Sequence, residues 1–111
     1  MTRSRSDLLQ GTLDLLILKT LQLEPMHGWG ITERIESMSG EVFKVNVGSL
    51  YPALQRLTTR GLICSDWQTT ENNRRAKFYS LTRAGRKQLK LENENWDRLS
   101  QAVRLVMEGG K

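Results

Sequence analysis

A mainly α-helical domain with a small β-hairpin and a long terminal helix is the fold class this sequence predicts. Three observations lead there. Helix-type spacing of apolar residues recurs in three successive blocks between Leu8 and Leu57. Strand-type alternation replaces it from Leu62 to Leu81, interrupted by a polar stretch. Helical spacing then returns after Thr82 and runs to about Glu108. At 111 residues the chain is one domain, large enough for a single core but not for a separate catalytic lobe.

The first helix spans Leu8 to Leu23, and its leucines cover more than one face, where a surface helix of a small monomer shows a single stripe. This predicts burial on one side by the chain's own core and on another by a second subunit, with Leu9 and Leu16 as candidate contacts. Glu24-Pro25 ends it, because proline disfavours helix at the residue before it. A second helix opens at His27-Gly28, carries Ile31, Ile35 and Met38 on one stripe, and stops at Ser39-Gly40. A third helix carries Leu50, Leu54 and Leu57 inward and Ser49, Tyr51, Gln55 and Arg56 outward. Asn46 is its preferred N-cap and Ser49 the alternative; the choice decides whether Pro52 falls in the second turn or the first.

Arg60-Gly61 closes that helix. Strands over Leu62 to Gln68 and Arg75 to Leu81 flank an Asn- and Arg-rich tip, with Ile63 and Trp67 on one face of the first and Tyr79 and Leu81 on one face of the second. Thr82 caps the last helix, roughly 40 Å long at 1.5 Å per residue. Its residues Leu89, Trp96, Leu99, Val103 and Val106 form an a/d seam interrupted at Glu92. So long a helix has little of its own core to lie on, and the seam predicts a dimer contact.

Charge is distributed unevenly. Residues 44–87 hold nine Lys/Arg against two acids, a balance of +7, while the remainder balances at −2. A basic stretch on a near-neutral body is the footprint of a polyanion binder. Helix, helix, helix, hairpin is the order of a winged helix-turn-helix domain, whose third helix enters the major groove of DNA while the hairpin flanks it. The candidate DNA-binding residues are Thr12 at the start of the first helix, Lys44 and Asn46 in the connector, Ser49, Tyr51, Gln55 and Arg56 on the third helix, and Arg74, Arg75 and Lys77 in the wing. Arg74, Arg75, Lys77 and the Gly11-Thr12 backbone suit phosphates; Ser49, Gln55 and Arg56 suit base edges; Tyr51 suits either a phosphate or a packing role.

Other classes find little support. The longest apolar run, Leu15 to Leu18, is too short for a bilayer, and the N-terminal residues lack the apolar core of a secretory signal. One cysteine, Cys64, allows no internal disulfide and fits a reducing cytoplasm; its strand position reads as a small core residue. His27, the single histidine, reads as a turn or packing residue, so no catalytic or metal constellation assembles and no cofactor is expected. The reading from a different class is a protein-interaction module that uses the winged fold as a scaffold without binding DNA.

Four segments together resemble the PadR family of bacterial transcriptional regulators: Gly11-Thr12-Leu13, His27-Gly28-Trp29-Gly30-Ile31, Gly48-Ser49-Leu50-Tyr51-Pro52-Ala53-Leu54, and the run from Arg74 through Lys77 and Tyr79 to Gly85. The similarity covers about Leu8 to Val106, and a single helix after the wing points to the short subfamily. Trp29 and Gly30 depart from the family pattern, which usually has a tyrosine and a larger residue there. The resemblance implies a cytoplasmic homodimer, usually a repressor, on a double-stranded DNA operator. By resemblance, Ser49 and Tyr51 are recognition-helix positions, and Arg74, Arg75 and Lys77 the basic wing. Trp96 matches a tryptophan that lines a ligand pore at the dimer centre of multidrug-binding members, which leaves two readings, a wall for a small planar hydrophobic effector or a large apolar anchor of the dimer seam. The expected organisation is a flexible basic N-terminus over 1–7, a DNA-binding domain over 8–81, a dimerisation helix over 82–108 and a tail over 109–111.

Overall fold

The computed structural model describes residues 10–109. Along the chain run α1 (Gln10–Leu23), β1 (Met26–His27), α2 (Gly28–Met38), α3 (Val47–Thr59), β2 (Ile63–Thr69), β3 (Arg75–Leu81) and α4 (Arg83–Met107). The strands form one antiparallel sheet in the order β1-β3-β2. The arrangement is a winged helix-turn-helix with a long helix appended. The candidate dimer residue Leu9 lies outside the described residues, as do residues 1–7.

α1 is the hub of the core. Leu13, Ile17, Leu18 and Leu21 are buried against Ile31 and Ile35 of α2, Leu50, Ala53, Leu54 and Leu57 of α3, and Leu89 of α4. Each fully buried leucine or isoleucine contributes about 1.5–3 kcal/mol relative to exposure. Leu15 and Leu16, which line the groove between α1 and α4, stay only half-buried. This chain alone does not cover every apolar face of its first helix.

Side-chain caps set the helix starts. His27 opens α2 by accepting the Gly30 N–H at Nδ1 (3.0 Å), and its ring meets Phe78 edge-on, at 5.2 Å between centroids. Its position is a turn and packing role. Asn46 caps α3, its side-chain oxygen accepting from Ser49 N at 2.9 Å, so Pro52 falls in the second turn. A cap of this kind contributes about 1 kcal/mol. The connector before it is held by Glu36, whose carboxylate accepts from Val45 N at 3.0 Å. Thr82 caps α4 through Gly85 N (3.0 Å) while its hydroxyl donates to the Gly61 carbonyl at 2.8 Å.

Three features depart from the sequence expectation. β1, which pairs Met26 with Tyr79 and His27 with Phe78, makes the sheet three-stranded where a hairpin was expected. Two residues are too few to carry a periodicity; β3 supplies the pairing. Met38, the last residue of α2 and of its apolar stripe, is 56% exposed and not part of the core. Cys64 is exposed as well and is not a core residue. Its neighbour Ile63 points inward, so the pleat sends Cys64 to the outer face.

Beyond Leu89, α4 leaves the body of the domain. Trp96, Leu99, Val103 and Val106 are about half exposed or more, as are Leu91 and Leu105. None of the described helices is long and apolar enough to cross a membrane.

Candidate nucleic-acid interface

The sheet register builds one wall of the site. Ile63 pairs with Leu81, Ser65 with Tyr79, Trp67 with Lys77 and Thr69 with Arg75, so all eight residues share one face of the hairpin. At the root that face is core: Ile63, Tyr79 and Leu81 are buried. Toward the tip the hairpin outruns the core, and the same face delivers Trp67, Lys77 and Arg75 to solvent. Asp66 belongs to the opposite face, beside Gln68 at 3.4 Å. Alternation therefore separates the wing's cations from its strand carboxylate.

The other wall is α3. Tyr51, Gln55 and Thr58 face the wing across a cleft of about 740 Å³, with Trp29 at its rim and Arg74, Arg75 and Lys77 along the far side. Gly28, at the start of α2, lets Tyr51 pack closely: a Cβ there would meet the Tyr51 hydroxyl at 2.6 Å. Burial, with Tyr51 adding to it, raises the Tyr79 phenol above its ordinary value, so it stays a neutral hydroxyl at the cleft floor. Among the described residues no carboxylate pairs with Arg74, Arg75 or Lys77. An open cleft walled by a polar helix and unpaired cations fits a polyanion.

The remaining candidates are scattered around this cleft. Ser49 is half-buried in the first turn of α3, where its N–H is taken by the Asn46 cap. Lys44 pairs with Glu41 at 3.1 Å in the connector. Arg56 lies on the α1 side of the helix, its guanidinium 2.9 Å from Asp14, whose side chain is 17% exposed. Thr12 lies at a second groove, between α1 and α4. Sequence reasoning missed Trp29, Thr58, Trp67 and Thr70 as cleft residues. The alternation that linked Ile63 to Trp67 was the available signal for one of them.

Residues 17–91 match the family model described as the transcriptional regulator PadR-like family. The chain belongs to this family. It is accordingly a DNA-binding transcriptional regulator and not an enzyme. Solved structures of the same shape agree. A transcriptional regulator from Clostridium thermocellum is 28% identical, with a TM-score of 0.80 over 88% of this chain and 95% of that one. A PadR-like transcriptional regulator from Bacillus cereus is 25% identical, with a TM-score of 0.79 over 93% and 98%. An uncharacterized protein X from Lysinibacillus sphaericus is 27% identical over 95% of this chain and 96% of its own length.

In this PadR-like chain the second groove is the more apolar of the two. It measures about 970 Å³ between α1 and α4, with a floor of Leu15, Leu16, Phe43, Leu89 and Trp96. Lys19, Arg86 and Lys90 also line it, with no carboxylate among the described lining residues. It brings the candidates Leu16, Leu89 and Trp96 together. Leu99, Val103 and Val106 lie further along α4, outside the groove.

Proposed function

We propose that the protein acts as a homodimeric repressor in the cytoplasm, binding a pseudo-palindromic operator through the cleft between α3 and the wing. The observation that carries this reading is the cleft itself, walled by a polar helix face and by cations that no carboxylate among the described residues pairs with. Arg74, Arg75 and Lys77 contact phosphates and supply most of the affinity. Ser49 and Gln55 read base edges from α3. Arg56, tethered to Asp14, contributes to readout from the flank, and Tyr51 donates to a phosphate near the start of α2. Lys44, Asn46 and Thr12 add backbone contacts.

The dimer reading is supported by the exposed apolar run Trp96, Leu99, Val103 and Val106 and by the uncovered flank of α1 at Leu16. A second copy laid along α4 covers both, whereas Leu89, expected in the same seam, is buried in this chain's own core and is not part of that contact. Two-fold symmetry then places half-sites about one helical turn apart, or a multiple of it. Binding of a duplex from the chain's own upstream region, followed by fluorescence anisotropy, is expected to weaken steeply as salt rises. Affinity independent of salt would sink the reading.

The groove beside Trp96 suits a small planar hydrophobic effector, and Lys19, Arg86 and Lys90 favour one with an acidic group. Planar aromatic acids are expected to quench Trp96 fluorescence and release DNA, with Trp96→Ala abolishing both effects. Release that survives Trp96→Ala would place the effector elsewhere.

A further inference from the structure

We infer that Trp67 is a positioning residue of the wing, whose indole orients the Arg75 guanidinium toward DNA. This rests on the reading above that Arg75 contacts a phosphate. Trp67 is 58% exposed, a large apolar side chain beyond the last core layer of the hairpin. Its neighbours on that face are the cross-strand Lys77 and the diagonal Arg75, which pairs with Thr69. Diagonal neighbours on an antiparallel pair lie within reach of aromatic and long side chains. The Arg75 guanidinium carbon sits 5.4 Å from the centroid of the Trp67 ring, a cation–π contact.

Arg56 shows why this partner matters. Its guanidinium is held by the Asp14 carboxylate, which fixes its position but neutralises its charge and occupies a donor. An aromatic face restrains a guanidinium without adding negative charge and leaves its N–H donors for an incoming oxyanion. Trp67 thereby lowers the conformational entropy Arg75 loses on binding, while its full charge remains available. Asp66, next in sequence, faces the other way and does not interfere. The sheet thus presents one wing cation in a restrained, unneutralised state.

The test is a double-mutant cycle on binding to a mixed-sequence duplex across a salt series. Trp67→Ala is expected to weaken binding about three- to fivefold, with the salt slope unchanged because the guanidinium still reaches its phosphate. Trp67→Leu, which fills similar space without a π face, is expected to behave as Trp67→Ala, and Trp67→Phe to recover most of the affinity. Arg75→Ala lowers the salt slope by about one for each subunit engaged, and adding Trp67→Ala to it costs nothing further. Additive losses, a lowered slope for Trp67→Ala, or wild-type binding by Trp67→Leu would each overturn the inference. Failure of the wild-type chain to bind any duplex would overturn the DNA reading itself, a distinguishable result.

Discussion

Gly85→Ala is expected to lower the thermal stability of this regulator more than any other single methyl addition at its glycines. Gly85 is buried in the first turn of α4, where a Cβ would collide with the Leu62 carbonyl oxygen and press on Leu81 Cδ1 at 2.8 Å. Overpacking typically costs about 1–3 kcal/mol. Here the obstacle is backbone, and it is pinned: Thr82 N donates to that same carbonyl at 3.1 Å. The loss therefore belongs at the upper end, about 3 kcal/mol, or roughly 12–24 °C in melting temperature for a chain of this size. Circular dichroism melting reads it directly. Gly11→Ala is the control, since a Cβ there meets nothing within 4 Å and α1 is already helical. That substitution is expected to be neutral or to stabilise by up to about 1 kcal/mol. Equal effects at the two positions would show that the α4–Leu62 approach is not a constraint.

Simultaneous Arg74→Ala, Arg75→Ala and Lys77→Ala substitution is expected to have the largest effect on DNA binding. The three side chains are exposed, so their removal leaves the core intact. Each phosphate contact by a charged group is worth roughly tenfold in affinity, giving about a thousandfold per subunit if they are independent. The slope of log affinity against log salt should fall by about three for each subunit engaged. Losses should match on operator and mixed-sequence DNA, because phosphates carry no sequence information. A variant that kept its affinity for mixed-sequence duplex but lost operator preference would move these residues from the backbone to the bases.

Local chemistry made several features readable from the chain. Thr82 announced α4 because threonine just before a helical pattern is a favoured N-cap, and its hydroxyl accepts from Gly85 N at 3.0 Å. The strand over Arg75 to Leu81 was visible because Tyr79 and Leu81 alternate with less buried neighbours. The leucines around α1 exceeded what one core can bury, and Leu15 and Leu16 are indeed left half-covered. The clustered Lys/Arg of the wing needed only counting.

By itself, then, the sequence determined the order of the helices and wing strands, the capped helix start after Thr82, the basic character of the wing and the family, while the choice between Asn46 and Ser49 as the cap of α3 fell to the structure. These follow from short-range spacing, capping and charge, which a linear reading preserves. Only the tertiary structure decided that β1 exists, since two residues become a strand only when β3 lies alongside. It also chose Asp14 as the partner of Arg56, 42 residues away, and turned Trp67 from the core side of its strand into the wall of an open cleft. Such outcomes depend on where one element ends relative to another. A face that is core at the root of the hairpin becomes binding surface at its tip because the strands are longer than the body beneath them.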